Sequence, residues 1–258
     1  MTTAAGRWRD ELAAWAIPEP ILAASPESPW IFPVELFRVT ARAPDLDTPS
    51  RRRALESLPP DGVVLDVGCG GGTAALALVP PAGRLVGVDP SAELLTEFAT
   101  AAEQAGISHE EVLGMWPEAA GDVPVTDVVV CHHVIYNVPD LAAFAQALTS
   151  RARHRVVLEL TERHPMTSTS RLWKHFHGLD RPTGPDAGLA TAVLAEAGLP
   201  ANLERFSRPA RPVPREVMVA VTRRRLCLPA ERDAEVDREL GPGLDFGDRE
   251  MACLWWDA

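Results

Sequence analysis

Lysine is almost absent from this 258-residue chain: of its 25 basic residues, 24 are arginines and one is Lys174. Tyrosine occurs once, at Tyr136, and cysteine four times, at Cys69, Cys131, Cys227 and Cys253. The preference for arginine reads as codon bias rather than as chemistry. The cysteines lie far apart with no metal-ligand spacing, so no metal site is expected and buried free thiols are. No apolar run reaches the roughly 18 residues that a membrane-crossing helix needs. No secretory core follows Met1. A soluble, cytoplasmic protein is the expectation, with no membrane partner. Basic residues are outnumbered by 36 acidic ones, giving a net charge of −11. That balance disfavours a sequence-independent grip on nucleic-acid phosphates. The length suits one large α/β domain, or a domain with a small cap.

Organisation changes near residue 50. Residues 1–50 carry Trp8, Trp15 and Trp30 among many prolines, with short helices expected over 9–17 and 34–42. Too few apolar positions recur there for an independent core, so the segment is expected to pack over the main domain, residues 51–258. From Arg51 onward, apolar runs alternate with amphipathic stretches. Strands are predicted at 63–67, 84–88, 110–114, 126–132 and 155–161, and helices at 73–79, 91–105 and 139–150. Ser91 is placed as the cap of the second helix. Dense β-branched runs such as Val128-Val129-Val130 suit strands covered on both faces. This alternation implies βαβ crossovers and a mostly parallel sheet. Residues 161–184 break the pattern and read as a cap insertion. A helix over 186–197 and a strand over 201–207 follow. Two more helices, over 215–226 and 229–240, fall in a second insertion (209–245) before a last strand at 251–256.

One stretch carries the chemistry. Val63 to Val67 is an apolar run holding Asp66, and it leads into Gly68-Cys69-Gly70-Gly71-Gly72-Thr73. A second apolar run ends at Asp89-Pro90, 23 residues after Asp66. Glycines let backbone approach a ligand and adopt positive φ. A helix starting near Thr73 aims its free N–H groups over the turn. Asp89 is placed like the acidic residue that holds a ribose in doubly wound nucleotide sites. A dinucleotide fingerprint needs glycine or alanine where Thr73 stands. The spacing reads instead as D-x-G-x-G-x-G. Asp66 beside the turn would repel a pyrophosphate but tolerates a cationic ligand.

This pattern resembles motif I of the class I S-adenosylmethionine-dependent methyltransferases, and Val88-Asp89-Pro90-Ser91 is similar to the end of their second strand. The resemblance covers about Leu58 to Leu160 well and the C-terminal part loosely. It implies a doubly wound, mostly parallel seven-stranded Rossmann-like sheet, with the N-terminal helical segment and inserted helices as additions. It also implies S-adenosyl-L-methionine as methyl donor, S-adenosyl-L-homocysteine as product, and a small-molecule acceptor. Contacts to the donor are expected from Asp66, Gly68, Cys69, Gly70, Asp89, Pro90, Cys131 and His132. Family members often carry an aspartate after the third strand. Here Gly114-Met115-Trp116-Pro117-Glu118 stands instead, with Met115 and Trp116 expected to sandwich the adenine. The family's Pro-Gly-Gly turn before the fifth strand is replaced by Arg151-Ala152-Arg153-His154.

Cys131-His132-His133 closes the fourth strand at the carboxyl edge, where open sheets bind ligands. Successive strand residues face opposite ways, so one of His132 and His133 is expected to face the reacting centre. Both are candidate bases for a proton-bearing nucleophile, against the plainer reading that each only packs or hydrogen-bonds. Tyr136, His164, Trp173 and His177 are candidates for the acceptor pocket; the alternative is an ordinary apolar cap. Asp89 has an alternative role as a helix cap. A donor-binding protein without catalysis is the runner-up function, and a nicotinamide reductase the third. The acceptor and the atom methylated stay open.

Overall fold

The computed structural model describes residues 2–29, 47–209, 213–241 and 248–258. Seven strands form one sheet in the order β3-β2-β1-β4-β5-β7-β6. They are β1 (Val63–Val67), β2 (Arg84–Asp89), β3 (Ser108–Leu113), β4 (Thr126–His132), β5 (Ala152–Thr161), β6 (Asn202–Arg208) and β7 (Arg249–Asp257). The first five run parallel, and β7 lies antiparallel between β5 and β6. Order reverses between β1 and β4, so ligand chemistry is expected over the carboxyl ends of those two strands.

Ten helices flank the strands among the described residues: α1 (Ala4–Ala13), α2 (Glu19–Ala23), α3 (Pro49–Leu55), α4 (Thr73–Leu76), α5 (Ala92–Gln104), α6 (Leu141–Thr149), α7 (Ser170–His177), α8 (Ala187–Glu196), α9 (Arg215–Arg225) and α10 (Asp233–Leu240). Alternation along each strand divides the core. Leu65, Val129, Val156, Leu158 and Leu254 face a layer built on Phe144 and Leu148 of α6 and Val193 of α8, with Trp8 of α1. Val64, Val128, Val130, Val157 and Cys253 face the other way, against Ala54 of α3, Ala75 of α4 and Phe98 of α5. Parallel strands covered on both faces require such continuous apolar runs. A third core binds the cap: Ile17, Leu172, Trp173, Met218, Leu226 and Val236 close on one another.

Several boundaries differ from the sequence reading. α1 begins at Ala4 rather than at 9 because the Thr3 hydroxyl accepts the Gly6 N–H and caps it. β5 starts three residues earlier than expected, since Ala152 pairs with Thr126. α4 is a single turn, shorter than 73–79. The helix expected over 229–240 divides into a 3-10 turn at Ala230–Arg232 and α10. α3 crosses the expected boundary at residue 50. The helix expected over 34–42, and Trp30 before it, lie outside the described residues. No described helix is long and apolar enough to cross a membrane.

Candidate functional site

β1 and β2 end side by side, Val67 paired with Val88, and their last carboxylates take different work. Asp66 is 1% exposed and its Oδ2 accepts the Ala75 N–H at 3.1 Å. That bond satisfies one orphan donor of the first turn of α4. Burial pushes the Asp66 carboxyl up to about 7, against the lowering effect of the Ala75 bond, and nearby Asp89 adds to the rise. Asp89 is 6% exposed. Its Oδ2 accepts the Gly70 N–H at 3.0 Å, and its Oδ1 accepts the Ser91 N–H at 2.9 Å. One carboxylate therefore ties the glycine turn to the loop that opens α5. The cap of α5 is Ser91, whose hydroxyl accepts the Leu94 N–H, so Asp89 is not the helix cap. Pro90, exposed between them, has no N–H to compete for the carboxylate.

The glycines are required by geometry. Gly68, Gly70 and Gly72 have φ of 69°, 52° and 85°. A Cβ on Gly68 would lie 2.4 Å from Val134 Cγ2, so the loop after β4 rests directly on the glycine turn. Cys69 is buried against the turn, and burial pushes its thiol up. Cys131 is 1% exposed within the α6 and α8 core, with its thiol also raised by burial. Any contact from Cys131 to a ligand over the edge must come from its backbone.

Leu113 pairs with Asp89 across β2 and β3, and the Gly114 N–H donates to the Asp89 carbonyl at 3.2 Å. Leu113 and Met115 are 62% and 61% exposed, an apolar shelf beside the carboxylate. Trp116 does not join Met115 there. It is 8% exposed, packs in the α6 and α8 core, and its indole N–H points to the Phe144 carbonyl at 3.4 Å. The expected adenine sandwich is corrected accordingly: Leu113, which the sequence reading passed over, shares the shelf with Met115. Its signal was a large apolar residue at the end of a strand that opens with Ser108-His109-Glu110-Glu111.

The two histidines separate as alternation requires. His132 Nε2 is shut from solvent without a hydrogen-bond partner, and burial drives the ring down to about 4. The side chain of His133 is 47% exposed, with Nε2 3.6 Å from the carboxylate of Glu159. His133 is one of three non-glycine residues at positive φ among those described, at 62°. Its N–H donates to the Glu159 carbonyl at 2.7 Å. Local strain of this kind persists where surroundings fix it, often beside functional groups.

The four residues expected to line an acceptor pocket belong to one aromatic column. Trp8 stacks on Tyr136 at 5.7 Å, Tyr136 meets His164 edge-on at 5.2 Å, and His164 stacks on Trp15 at 4.2 Å. Arg181 bridges the rings of Trp15 and Trp173, and Trp173 meets His177 at 4.8 Å. The Trp173 indole N–H and Arg181 Nε are buried without a partner, while Tyr136 donates to the Thr161 carbonyl at 2.8 Å and His177 Nε2 lies 2.7 Å from the Leu226 carbonyl. His164 accepts the Met166 N–H, and burial lowers its ring to about 4, helped by Arg181. Trp173 is fully buried. These side chains join α1 and the cap to the loop after β4. Among the described residues no group of three or more His, Cys, Asp or Glu is placed to hold a metal ion.

Residues 41–187 match the model of a methyltransferase-domain family. With this sheet order and glycine turn, the chain belongs to the class I S-adenosylmethionine-dependent methyltransferases. Among curated relatives, an uncharacterized protein of Haemophilus influenzae is 33% identical over 106 residues, 40% of this chain and 39% of that one. A ubiquinone biosynthesis O-methyltransferase of Pseudoalteromonas translucida is 30% identical over 94 residues, 36% of this chain and 40% of that protein. The chain thus spans about two fifths of the length of these relatives. The Bacillus YcgJ structure superposes with a TM-score of 0.55 at 15% identity, covering 81% of this chain and 97% of that one. A putative sarcosine dimethylglycine methyltransferase from Galdieria sulphuraria gives 0.52 at 16% identity, covering 81% and 82%. At such identity these two structures speak for the fold alone.

The residues present fit the family's methyl donor on their own geometry. An exposed apolar shelf lies next to a buried carboxylate that holds the backbone of the glycine turn.

Proposed function

We propose that the chain transfers the methyl group of S-adenosyl-L-methionine to a small-molecule acceptor. The observation that carries this reading is the Asp89 carboxylate, bonded to the Gly70 backbone and flanked by the Leu113 and Met115 shelf. Asp89 would accept the ribose hydroxyls, each charge-assisted bond contributing about 1.5–3 kcal/mol. Leu113 and Met115 would take the adenine face. Gly68, Cys69 and Gly70, with backbone after Cys131 and His132, would enclose the amino-acid end, where buried Asp66 favours a cationic group. The bound donor supplies a methyl carbon on a sulfonium, which departs as a neutral thioether.

The protein's share of the rate lies chiefly in holding a nucleophile in line with that carbon. His133, half-exposed beside the loop that rests on Gly68, is the candidate base; buried His132 is not placed to meet an acceptor. Tyr136, His164, Trp173 and His177 hold the cap in place and would shape the pocket from behind. The relatives named as O-methyltransferases match over only 36% and 30% of this chain, so they support methyl transfer more than any particular acceptor. The net charge of −11 favours a small acceptor over nucleic acid.

Calorimetric titration with S-adenosylmethionine and S-adenosylhomocysteine, followed by methyl-transfer assays on hydroxyl, amine and thiol acceptors, tests this reading. Saturable binding of both with turnover on one class is the expected result. Absence of binding overturns it, and binding without turnover on any class would favour a donor-binding protein without catalysis.

A further inference from the structure

Glu159 is a lone carboxylate inside the apolar run of β5, and the structure leaves it 2% exposed. A buried carboxylate costs several kcal/mol unless partners meet it. Five residues surround it. Arg208, ending β6, reaches Oε1 at 2.8 Å. His132, its neighbour in register on β4, and Cys253, opposite on β7, share its face of the sheet. The Ser50 hydroxyl approaches from the first turn of α3. His133 approaches from the edge, with Nε2 3.6 Å away. Burial alone would raise the carboxyl, but the two imidazoles and Ser50 hold it well below the usual range. Glu159 therefore stays ionised, as an acceptor only.

The same residue holds His133 twice. Its carbonyl accepts the His133 N–H at 2.7 Å and fixes the strained backbone, and its carboxylate faces the ring. A carboxylate that can only accept requires a proton on the nitrogen facing it. Nε2 of neutral His133 then carries the hydrogen and Nδ1 the lone pair. Among the described residues Nδ1 has no hydrogen-bond partner. A 3.6 Å separation is loose, and such pairs commonly tighten in the loaded enzyme.

Resting on the methyl-transfer reading above, we propose that Glu159 is a positioning residue. It holds His133 in the Nε2–H form, so that Nδ1 takes the proton of an acceptor hydroxyl. In the balanced step the acceptor oxygen gives that proton to Nδ1 and forms the bond to the methyl carbon. The carbon–sulfur bond breaks with its electron pair left on sulfur. The imidazolium, stabilised by Glu159, afterwards releases its proton to water. Arg208 keeps Glu159 ionised and turned toward the edge. The acceptor class this favours is a hydroxyl, since a tertiary amine or thioether has no proton to lose.

The test is nitrogen-15 NMR of the full chain with labelled histidines, the His133 signals assigned by their loss in His133→Gln. In the unaltered protein, neutral His133 should show the Nε2–H tautomer; an Nδ1–H tautomer overturns the proposal without any variant having to fold. In Glu159→Gln, whose side-chain amide can donate where the carboxylate could only accept, the share of the Nε2–H tautomer of neutral His133 should fall measurably. An unchanged tautomer population in that variant would overturn it, because the carboxylate would then not be what fixes the proton on Nε2. The affinity for S-adenosylhomocysteine should change less than about threefold in that variant. If S-adenosylhomocysteine fails to bind even the unaltered protein, the methyl-transfer reading falls, while the tautomer in the two proteins still decides the His133–Glu159 pair.

Discussion

Around the glycine turn, buried polar groups are met one at a time by backbone. Asp66 takes the Ala75 N–H, Asp89 takes Gly70 and Ser91, and Gly68 leaves room for Val134. In the cap, rings do the joining: Trp8, Tyr136, His164, Trp15, Trp173 and His177 follow one another in contact, with Arg181 between two of them. The first arrangement keeps an open apolar shelf beside a carboxylate. The second fills its own interior and exposes little. A region shaped by backbone can receive a ligand, while one shaped by interlocked rings serves as a support.

The largest effect bearing on this contrast is expected from Trp173→Ala. Truncating a fully buried Trp costs about 3–5 kcal/mol, so the thermal midpoint should fall steeply. S-adenosylhomocysteine affinity, measured below the melting range, should stay within about threefold of the original. A parallel collapse of affinity would show that cap and turn are not separable.

Asp66 tests the turn through pH. Its folded-state titration near 7 lies above the ordinary carboxylate value, so the folded protein binds the extra proton between about pH 4 and 7. Stability from this group is complete below about pH 4 and lost as pH rises through about 7. Asp66→Asn removes that loss. Each pH unit separating the folded and unfolded midpoints corresponds to about 1.4 kcal/mol. Denaturant melts of the two proteins should therefore diverge with rising pH, the variant gaining by a few kcal/mol at most. Parallel curves would place Asp66 in a more polar setting than the one described. The depressed imidazoles, His132 and His164, act in both proteins and cancel in the difference.

The smallest effect belongs to Tyr136→Phe, which removes only the hydroxyl shared by the Thr161 and Glu162 carbonyls. A loss of about 1 kcal/mol is expected in the same melts. Methyl transfer should be unchanged, because the ring remains in the column; a collapse of kcat with stability intact would return Tyr136 to the acceptor pocket.

The donor half was legible because its residues have few alternatives. Val128-Val129-Val130 suits little but a covered strand, and Asp66 and Asp89 interrupt or end apolar runs where a carboxylate needs a reason. The cap was less legible, since periodicity does not tell which way an aromatic turns. Trp116 and Met115 are neighbours in sequence, yet one is core and the other exposed. Some signals were there and went unused. Thr48-Pro49 is a capping residue followed by proline at the first helical position, which announces α3. Gly178, left-handed after His177, closes α7. Glu159 stood alone among apolar neighbours in β5. What no local pattern carried was the partnership of Glu159 with Arg208 and His133, which arises only when β4, β5 and β6 converge.

Everything proposed for this chain depends on the Asp89-anchored glycine turn binding the methyl donor. Calorimetric titration of S-adenosylhomocysteine into the unaltered chain and into Asp89→Ala tests that dependence without an acceptor. Saturable binding is expected for the first and at least about tenfold weaker binding for the second, with circular dichroism unchanged. Equal affinity for the two proteins would contradict it.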